Sequence, residues 1–249
     1  MIEESSEILR WERIVDWENR PNRQRWIHQF VLFPEYINII EEYNFNSILD
    51  YGCGDGSLAC FLKDRFNDYI VYAYDIIKDM RNLAKNNSRK IIVLDSLENN
   101  EQKFDIICLN MVLQDVDNPE SLIKFLLKHL NPYGIIIFSI PHPFFSLIEK
   151  NHVTTKRERI TLPQSKQLHD SARYQFQEVE KVYWSADQNN WTFLFNRTLQ
   201  TYSELFYNSG LYIRLIKEPV AIPDGRSEKD LFEIYSNNPG AMFFVCSNT

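Results

Sequence analysis

Glycine is scarce in this chain, with seven residues in 249. Left-handed turns are therefore few, and Gly-rich linkers are absent. Cysteine is sparser still. Cys53, Cys60, Cys108 and Cys246 form no Cys-x-x-Cys pair, and no histidine lies at ligand spacing from any of them. The expectation is four reduced thiols in a cytoplasmic protein, with no metal site. Basic blocks are missing: 27 Lys and Arg stand scattered against 34 Asp and Glu, for a net charge of −7. That balance carries no nucleic-acid footprint. No apolar run approaches the roughly 20 residues a membrane-crossing helix needs, since the stretch 135–145 is broken by Pro141 and Pro143. The opening Met1-Ile2-Glu3-Glu4-Ser5 is acidic and lacks the basic and apolar regions of a signal peptide.

Apolar residues make up 44% of the sequence, enough for the core of one sizeable domain with a cap. Helical spacing marks residues 5–17, with Ile8, Trp11 and Val15 on one face. A second helix is read over 22–33, and a third opened by Pro34 runs to Tyr43. From there, short apolar runs at 47–51, 69–74, 90–94, 104–109 and 134–140 alternate with helical patterns at 57–65, 77–86 and 119–130. Asn118-Pro119 is a cap followed by a first-turn proline. Strands alternating with helices argue an α/β fold: a doubly wound, Rossmann-like, mostly parallel sheet of seven strands.

The alternation stops at Pro141. Residues 142–197 are rich in aromatics, and alternation in 174–184 and 191–195 suggests antiparallel strands. This segment reads as an insertion over the sheet's carboxyl edge, where open α/β sheets bind ligands. A helix capped by Thr198 and ended by Gly210 follows, then strands at 211–217 and 242–246. Residues 223–240 read as a surface loop. The expected organisation is one domain over 1–249. It comprises an N-terminal helical lid (1–45), a cofactor-binding core (46–141), a substrate cap (142–197) and a C-terminal part that completes the sheet (198–249).

Three of the seven glycines fall within five residues, in Asp50-Tyr51-Gly52-Cys53-Gly54-Asp55-Gly56. A strand, a glycine turn and a helix suggest exposed backbone N–H groups that a ligand can approach closely. The spacing departs from the dinucleotide pattern Gly-x-Gly-x-x-Gly, with the third glycine one residue early and Ser57 in its place. Asp50 and Asp55 flank the turn. Their field opposes a pyrophosphate and suits a ligand carrying an ammonium and a sulfonium. Asp75 ends the second strand, where a carboxylate can accept both ribose hydroxyls. Asp95 ends the third, placed to accept from an adenine amino group.

These blocks, together with Phe104-Asp105-Ile106-Ile107-Cys108-Leu109-Asn110 and the turn Pro132-Tyr133-Gly134, resemble those of the class I S-adenosylmethionine-dependent methyltransferases. The resemblance spans roughly 46–145, with weaker similarity at 195–219 and near the C-terminus. Pro-Gly-Gly is the family's usual turn, so Tyr133 is a departure. Pro141-His142-Pro143 is similar to a small-molecule branch with His-Pro after the fifth strand. The resemblance implies S-adenosyl-L-methionine as cofactor. It implies that Asp50, Gly52, Cys53 and Gly54 form the turn beside the methionine moiety, and that Asp75 binds the ribose. Ile76 and Leu97 would flank the adenine with Asp95 and Ser96 at its edge, and Asn110 would lie beneath the methionine end.

Methyl transfer from a sulfonium is a direct displacement that needs alignment, desolvation and, for some acceptors, a base. His142 is the candidate base, with an imidazole shaping the Pro-His-Pro bend as the plainer role. His169 in the insertion is a weaker candidate. The branch carries a histidine before the arginine of Phe195-Asn196-Arg197, where this chain has Asn196. The acceptor expected is an oxygen or nitrogen of a small molecule, with no nucleic-acid or membrane partner. RNA or protein methylation, a nicotinamide oxidoreductase and a non-catalytic S-adenosylmethionine-binding module stand as alternatives. The oligomeric state is open.

Overall fold

The computed structural model describes residues 22–98, 101–145, 157–159, 179–183 and 191–249. Seven strands form the main sheet: β1 (Ser47–Tyr51), β2 (Ile70–Tyr74), β3 (Ile92–Val93), β4 (Phe104–Asn110), β5 (Leu130–Pro141), β9 (Tyr212–Lys217) and β10 (Ala241–Ser247). Their order is β3-β2-β1-β4-β5-β10-β9. The first five are mutually parallel, and β10 runs antiparallel to both of its neighbours. The seven-stranded, mostly parallel sheet expected from the sequence is present. The strand order reverses between β1 and β4, and at their carboxyl ends the chain leaves the sheet in opposite directions. A crevice at that point is the ligand site of open α/β sheets.

Side chains alternate across the sheet and define two cores. Ile48, Ile106, Ile135 and Ile137 face one side, with helix α2 (Phe33–Ile40), α3 (Ser57–Arg65) and α4 (Lys78–Asn87). Leu49, Ile107, Ile136 and Phe138 face the other, with α5 (Pro119–Lys128) and α6 (Leu199–Asn208). Burial on both faces explains the unbroken apolar run in β5. The caps read from sequence are in place. Asn118 accepts the Ser121 N–H at 3.2 Å, Thr198 accepts the Thr201 N–H at 3.1 Å, and Gly210 follows α6 at φ 81°.

Three expectations are corrected. The separate helices over 22–33 and 34–43 are one continuous run: α1 (Asn22–Ile27), a π-helical turn (His28–Leu32) and α2. Pro34 has no N–H to give to the carbonyl of Phe30. The ladder widens by one residue, so that the Phe33 N–H donates to His28 O. The freed Phe30 carbonyl accepts the Ile222 N–H at 2.9 Å. The surface loop over 223–240 is instead a 3₁₀ turn (Pro223–Ser227) and helix α7 (Lys229–Asn237), which buries Tyr235 against Trp26 and Ala221. The Trp26 indole N–H donates to Gly225 O at 3.2 Å. Charged residues along this stretch hid an amphipathic period. The strand expected at 134–140 also starts earlier, at Leu130.

The described part of the insertion is an antiparallel three-stranded sheet, β6 (Arg157–Arg159), β7 (Val179–Tyr183) and β8 (Trp191–Phe195), in the order β6-β7-β8. This agrees with the alternation read at 191–195 and with the part of 174–184 that is described, 179–183; residues 174–178 and 184 lie outside the described residues. The helix expected over 5–17 and His169 lie outside the described residues.

Candidate active site

The glycine turn between β1 and α3 uses left-handed backbone three times, at Gly52 (φ 72°), Gly54 (φ 54°) and Gly56 (φ 77°). Only glycine holds these angles without strain. A Cβ at Gly52 would also stand 2.6 Å from Val112 Cγ2, so the loop after β4 packs directly on the turn. The exposed N–H groups expected here are spent within the protein. Tyr74 O accepts from Gly52 and Cys53 at 2.8 and 3.1 Å, and Asp75 Oδ2 accepts from Gly54 at 2.9 Å. Cys53 O accepts from Gly56, Asp55 Oδ1 from Ser57 and Asp50 Oδ2 from Ala59. An anionic pyrophosphate would find these six donors taken.

Carboxylates dominate the turn. Asp50 is buried, and its Oδ1 has no hydrogen-bond partner among the described residues. Burial pushes its carboxyl up to about 8, with further upward pressure from Asp75 and Asp55 and a counter-pull from the Ala59 N–H. Asp75 accepts from Ile77 N–H through Oδ1 at 2.8 Å and from Gly54 through Oδ2. Burial raises its pKa, opposed by those two N–H bonds and by Arg81. Each of its oxygens keeps a second lone pair for a hydroxyl donor. Cys53 is buried, and burial followed by Asp50 and Asp75 drives its thiol pKa upward. An orphaned acceptor and crowded carboxyls are features a positive ligand relieves and a negative one worsens. The residues present fit a cationic adenosyl ligand.

On the β2–β3 side, Ile76 is exposed beside Asp75. Asp95 and Ser96 are also exposed. Asp95 pairs with Lys85 at 2.6 Å, which holds its carboxyl below the usual range. Leu97 is fully buried, packed in the core that contains Leu49 and Phe104. Its side chain thus supports this rim from beneath while Ile76 forms the surface. Arg81 was missed from sequence. From α4 it donates to Asp75 O at 2.7 Å and Ile76 O at 3.1 Å, and its guanidinium stands over the Tyr74 ring. Its spacing gave it away only as a helix residue.

At the tips of β4 and β5, Asn110 and Ser139 are register partners, and Ser139 Oγ lies 3.0 Å from Asn110 Oδ1. Met111 follows at φ 56°, a rare angle for a side chain of its size. Arg197, two residues after β8, donates to Leu113 O at 2.8 Å and Val116 O at 2.6 Å, tying the end of the small sheet to this loop. Beside it, the buried Nδ2 of Asn196 has no partner among the described residues, nor does the buried Oε1 of Gln114. His142 is buried, and both of its ring nitrogens are engaged. Nδ1 lies 3.2 Å from the N–H groups of Phe144 and Phe145, and Nε2 lies 2.7 Å from Glu218 Oε1. Two N–H donors at Nδ1 require its lone pair, so Nε2 carries the proton and donates to Glu218. These contacts hold the Pro141-His142-Pro143 bend, the plainer of the two roles read from the sequence.

The family model for a methyltransferase domain matches residues 16–214. The chain belongs to this family. It is a class I S-adenosylmethionine-dependent methyltransferase domain, and S-adenosylmethionine is its cofactor. Among curated relatives, a malonyl-[acyl-carrier protein] O-methyltransferase of Priestia megaterium is 31% identical over 113 residues, which cover 42% of this chain and 41% of the relative. A ubiquinone biosynthesis O-methyltransferase of Rickettsia akari is 31% identical over 150 residues, covering 55% and 59%. The matches thus span less than two thirds of those relatives' lengths. The fold matches an S-adenosylmethionine-dependent methyltransferase structure from Mesorhizobium loti at TM-score 0.63 and 20% identity, covering 86% and 95%. It also matches the plantazolicin methyltransferase BpumL, solved with S-adenosylhomocysteine, at TM-score 0.58 and 14% identity, covering 98% and 95%. Within this methyltransferase, the glycine turn and the carboxyl tips of β2 and β4 converge on the crevice where the strand order reverses.

Proposed function

We propose that the protein transfers the methyl group of S-adenosylmethionine to an oxygen or nitrogen of a small molecule in the cytoplasm. The observation that carries this reading is the turn itself, with its N–H donors consumed and an unpartnered buried oxygen on Asp50. The cofactor supplies an electrophilic methyl on a sulfonium. Asp75 would hold the ribose hydroxyls, and Gly52, Cys53, Gly54 and Asp50 would border the methionine end. Ile76, Leu97, Asp95 and Ser96 would border the adenine, with Asn110 at the mouth of the crevice. The lid (1–45) and the cap (142–197) would close the acceptor pocket and exclude water, leaving alignment and desolvation as the main contributions to rate. The two curated relatives are named as O-methyltransferases and BpumL as a plantazolicin methyltransferase, which supports a small acceptor.

Calorimetric titration tests the reading. S-adenosylmethionine and S-adenosylhomocysteine should bind and NAD should not. Asp75→Ala should weaken the adenosyl ligands by roughly 10- to 100-fold, the usual cost of losing a hydrogen bond to a charged group. Unchanged affinity in that variant would sink the site assignment.

A further inference from the structure

A buried chain of hydrogen bonds runs from the N-terminal helices to the crevice. Tyr36 of α2 is fully buried, and its hydroxyl donates to Ser139 Oγ at 3.2 Å. The backbone N–H of Met111 donates to the same Oγ at 3.1 Å. Ser139 is also fully buried, and its hydroxyl has two lone pairs and one proton. Both lone pairs are taken, so the proton must go to the remaining neighbour, Asn110 Oδ1, at 3.0 Å. This accounting fixes which way the Asn110 amide points, a question atomic positions alone leave open. The carbonyl faces Ser139 and the NH₂ faces away from it. Asn110 is only half-buried, and its Nδ2 makes no hydrogen bond among the described residues.

The direction of the chain has a chemical consequence. The crevice beside the glycine turn is otherwise lined by acceptors, Asp50 and Asp75, which suit positive groups. The contact between Val112 and Gly52 holds the loop after Asn110 against that turn. A pair of N–H donors there offers the opposite polarity. We propose that Tyr36 and Ser139 are positioning residues that lock the Asn110 amide with its donors toward the ligand, where they bind the carboxylate of the cofactor's amino-acid end. The proposal rests on the S-adenosylmethionine reading of the site. Met111, at φ 56°, donates its N–H to both Ser139 Oγ and Ser139 O, each at 3.1 Å, which holds the tips of the two strands together.

The test is calorimetry on the full chain with two probes, S-adenosylhomocysteine and 5′-methylthioadenosine, which lacks the amino-acid end. Ser139→Ala and Tyr36→Phe should each weaken S-adenosylhomocysteine about fivefold, the usual cost of one hydrogen bond, and leave methylthioadenosine within about twofold. In an Asn110→Ala background, Ser139→Ala should cost nothing further, because the two residues act as one unit. Asn110→Asp sits at the half-buried end and keeps the bond from Ser139 while losing the donors. It should weaken S-adenosylhomocysteine by more than about tenfold with methylthioadenosine unaffected. Equal losses for both probes, no loss in Asn110→Asp, or additive losses in the double variant would overturn the proposal. A wild-type protein that binds neither probe would overturn the cofactor reading on which it rests.

Discussion

Gly54 N–H and Asp75 Oδ2 are 2.9 Å apart, and the second oxygen of the same carboxylate accepts Ile77 N–H at 2.8 Å. One side chain thus pins both the glycine turn and the start of α4 before any ligand arrives. Asp75→Asn keeps the shape but has only one acceptor oxygen, leaving one of the two N–H groups facing an NH₂. We expect a loss of about 1–3 kcal/mol in the free protein, read by urea denaturation. Unaltered stability would show that the carboxylate is not organising the turn.

Asp50 gives a pH signature of defined sign. Its folded-state pKa of about 8 lies above the ordinary 3.8, so between those values the folded state holds a proton that the unfolded state has lost. Its contribution is fully present below pH 4 and is lost as pH rises through 8. Asp50→Asn removes the titration and keeps an acceptor for Ala59 N–H. The variant should gain on the wild type by on the order of 4 kcal/mol between pH 5 and 9, nearly all of it below pH 8, measured as paired denaturation curves. A constant difference across that range would refute a buried, raised carboxyl.

Tyr133 occupies φ 66° in the turn of Pro132-Tyr133-Gly134, with its side chain exposed. Left-handed backbone costs a residue with a Cβ about 1–2 kcal/mol, and glycine's extra unfolded freedom returns part of that. Tyr133→Gly should therefore stabilise the fold by about 0.5–1 kcal/mol and raise Tm by about 1–4 °C. The next position has no such latitude. A Cβ at Gly134 would stand 2.8 Å from Asp105 O, and Gly134→Ala should destabilise.

His142 separates scaffold from chemistry. Its loss leaves the Phe144 and Phe145 N–H groups without their acceptor. His142→Ala should lower stability by about 1–3 kcal/mol while S-adenosylhomocysteine affinity stays within about twofold. A large fall in affinity with unchanged stability would return this residue to the reacting centre.

Much of the framework was legible because its signals are local. Strand runs, the Asn118 and Thr198 caps and the glycine cluster each announce themselves within a few residues, and the helix over Ser57–Arg65 has the limits read from its period. What escaped depends on distant partners. The donors of Gly52, Cys53 and Gly54 look free in sequence because Tyr74 and Asp75 lie one strand away. The acceptor for His142 Nε2–H, Glu218, lies 76 residues on and has no local signal. Helix α7 was hidden by Asp230, Glu233 and a sparse apolar face whose partners, Trp26 among them, lie far away in sequence.

The π-helical turn at His28–Leu32 works as a gear. An α-helix advances about 100° per residue, so the one residue added to that turn offsets everything after it by more than a quarter of a circle. With the offset, Trp26 meets α7 while Tyr36 meets the sheet. Deleting a single residue between His28 and Leu32 would leave every side chain chemically intact yet swing the Tyr36 hydroxyl away from Ser139. The meshing of the first helices with the crevice is therefore set by a residue count, and the proline that enforces the count sits two positions ahead of the tyrosine it aims.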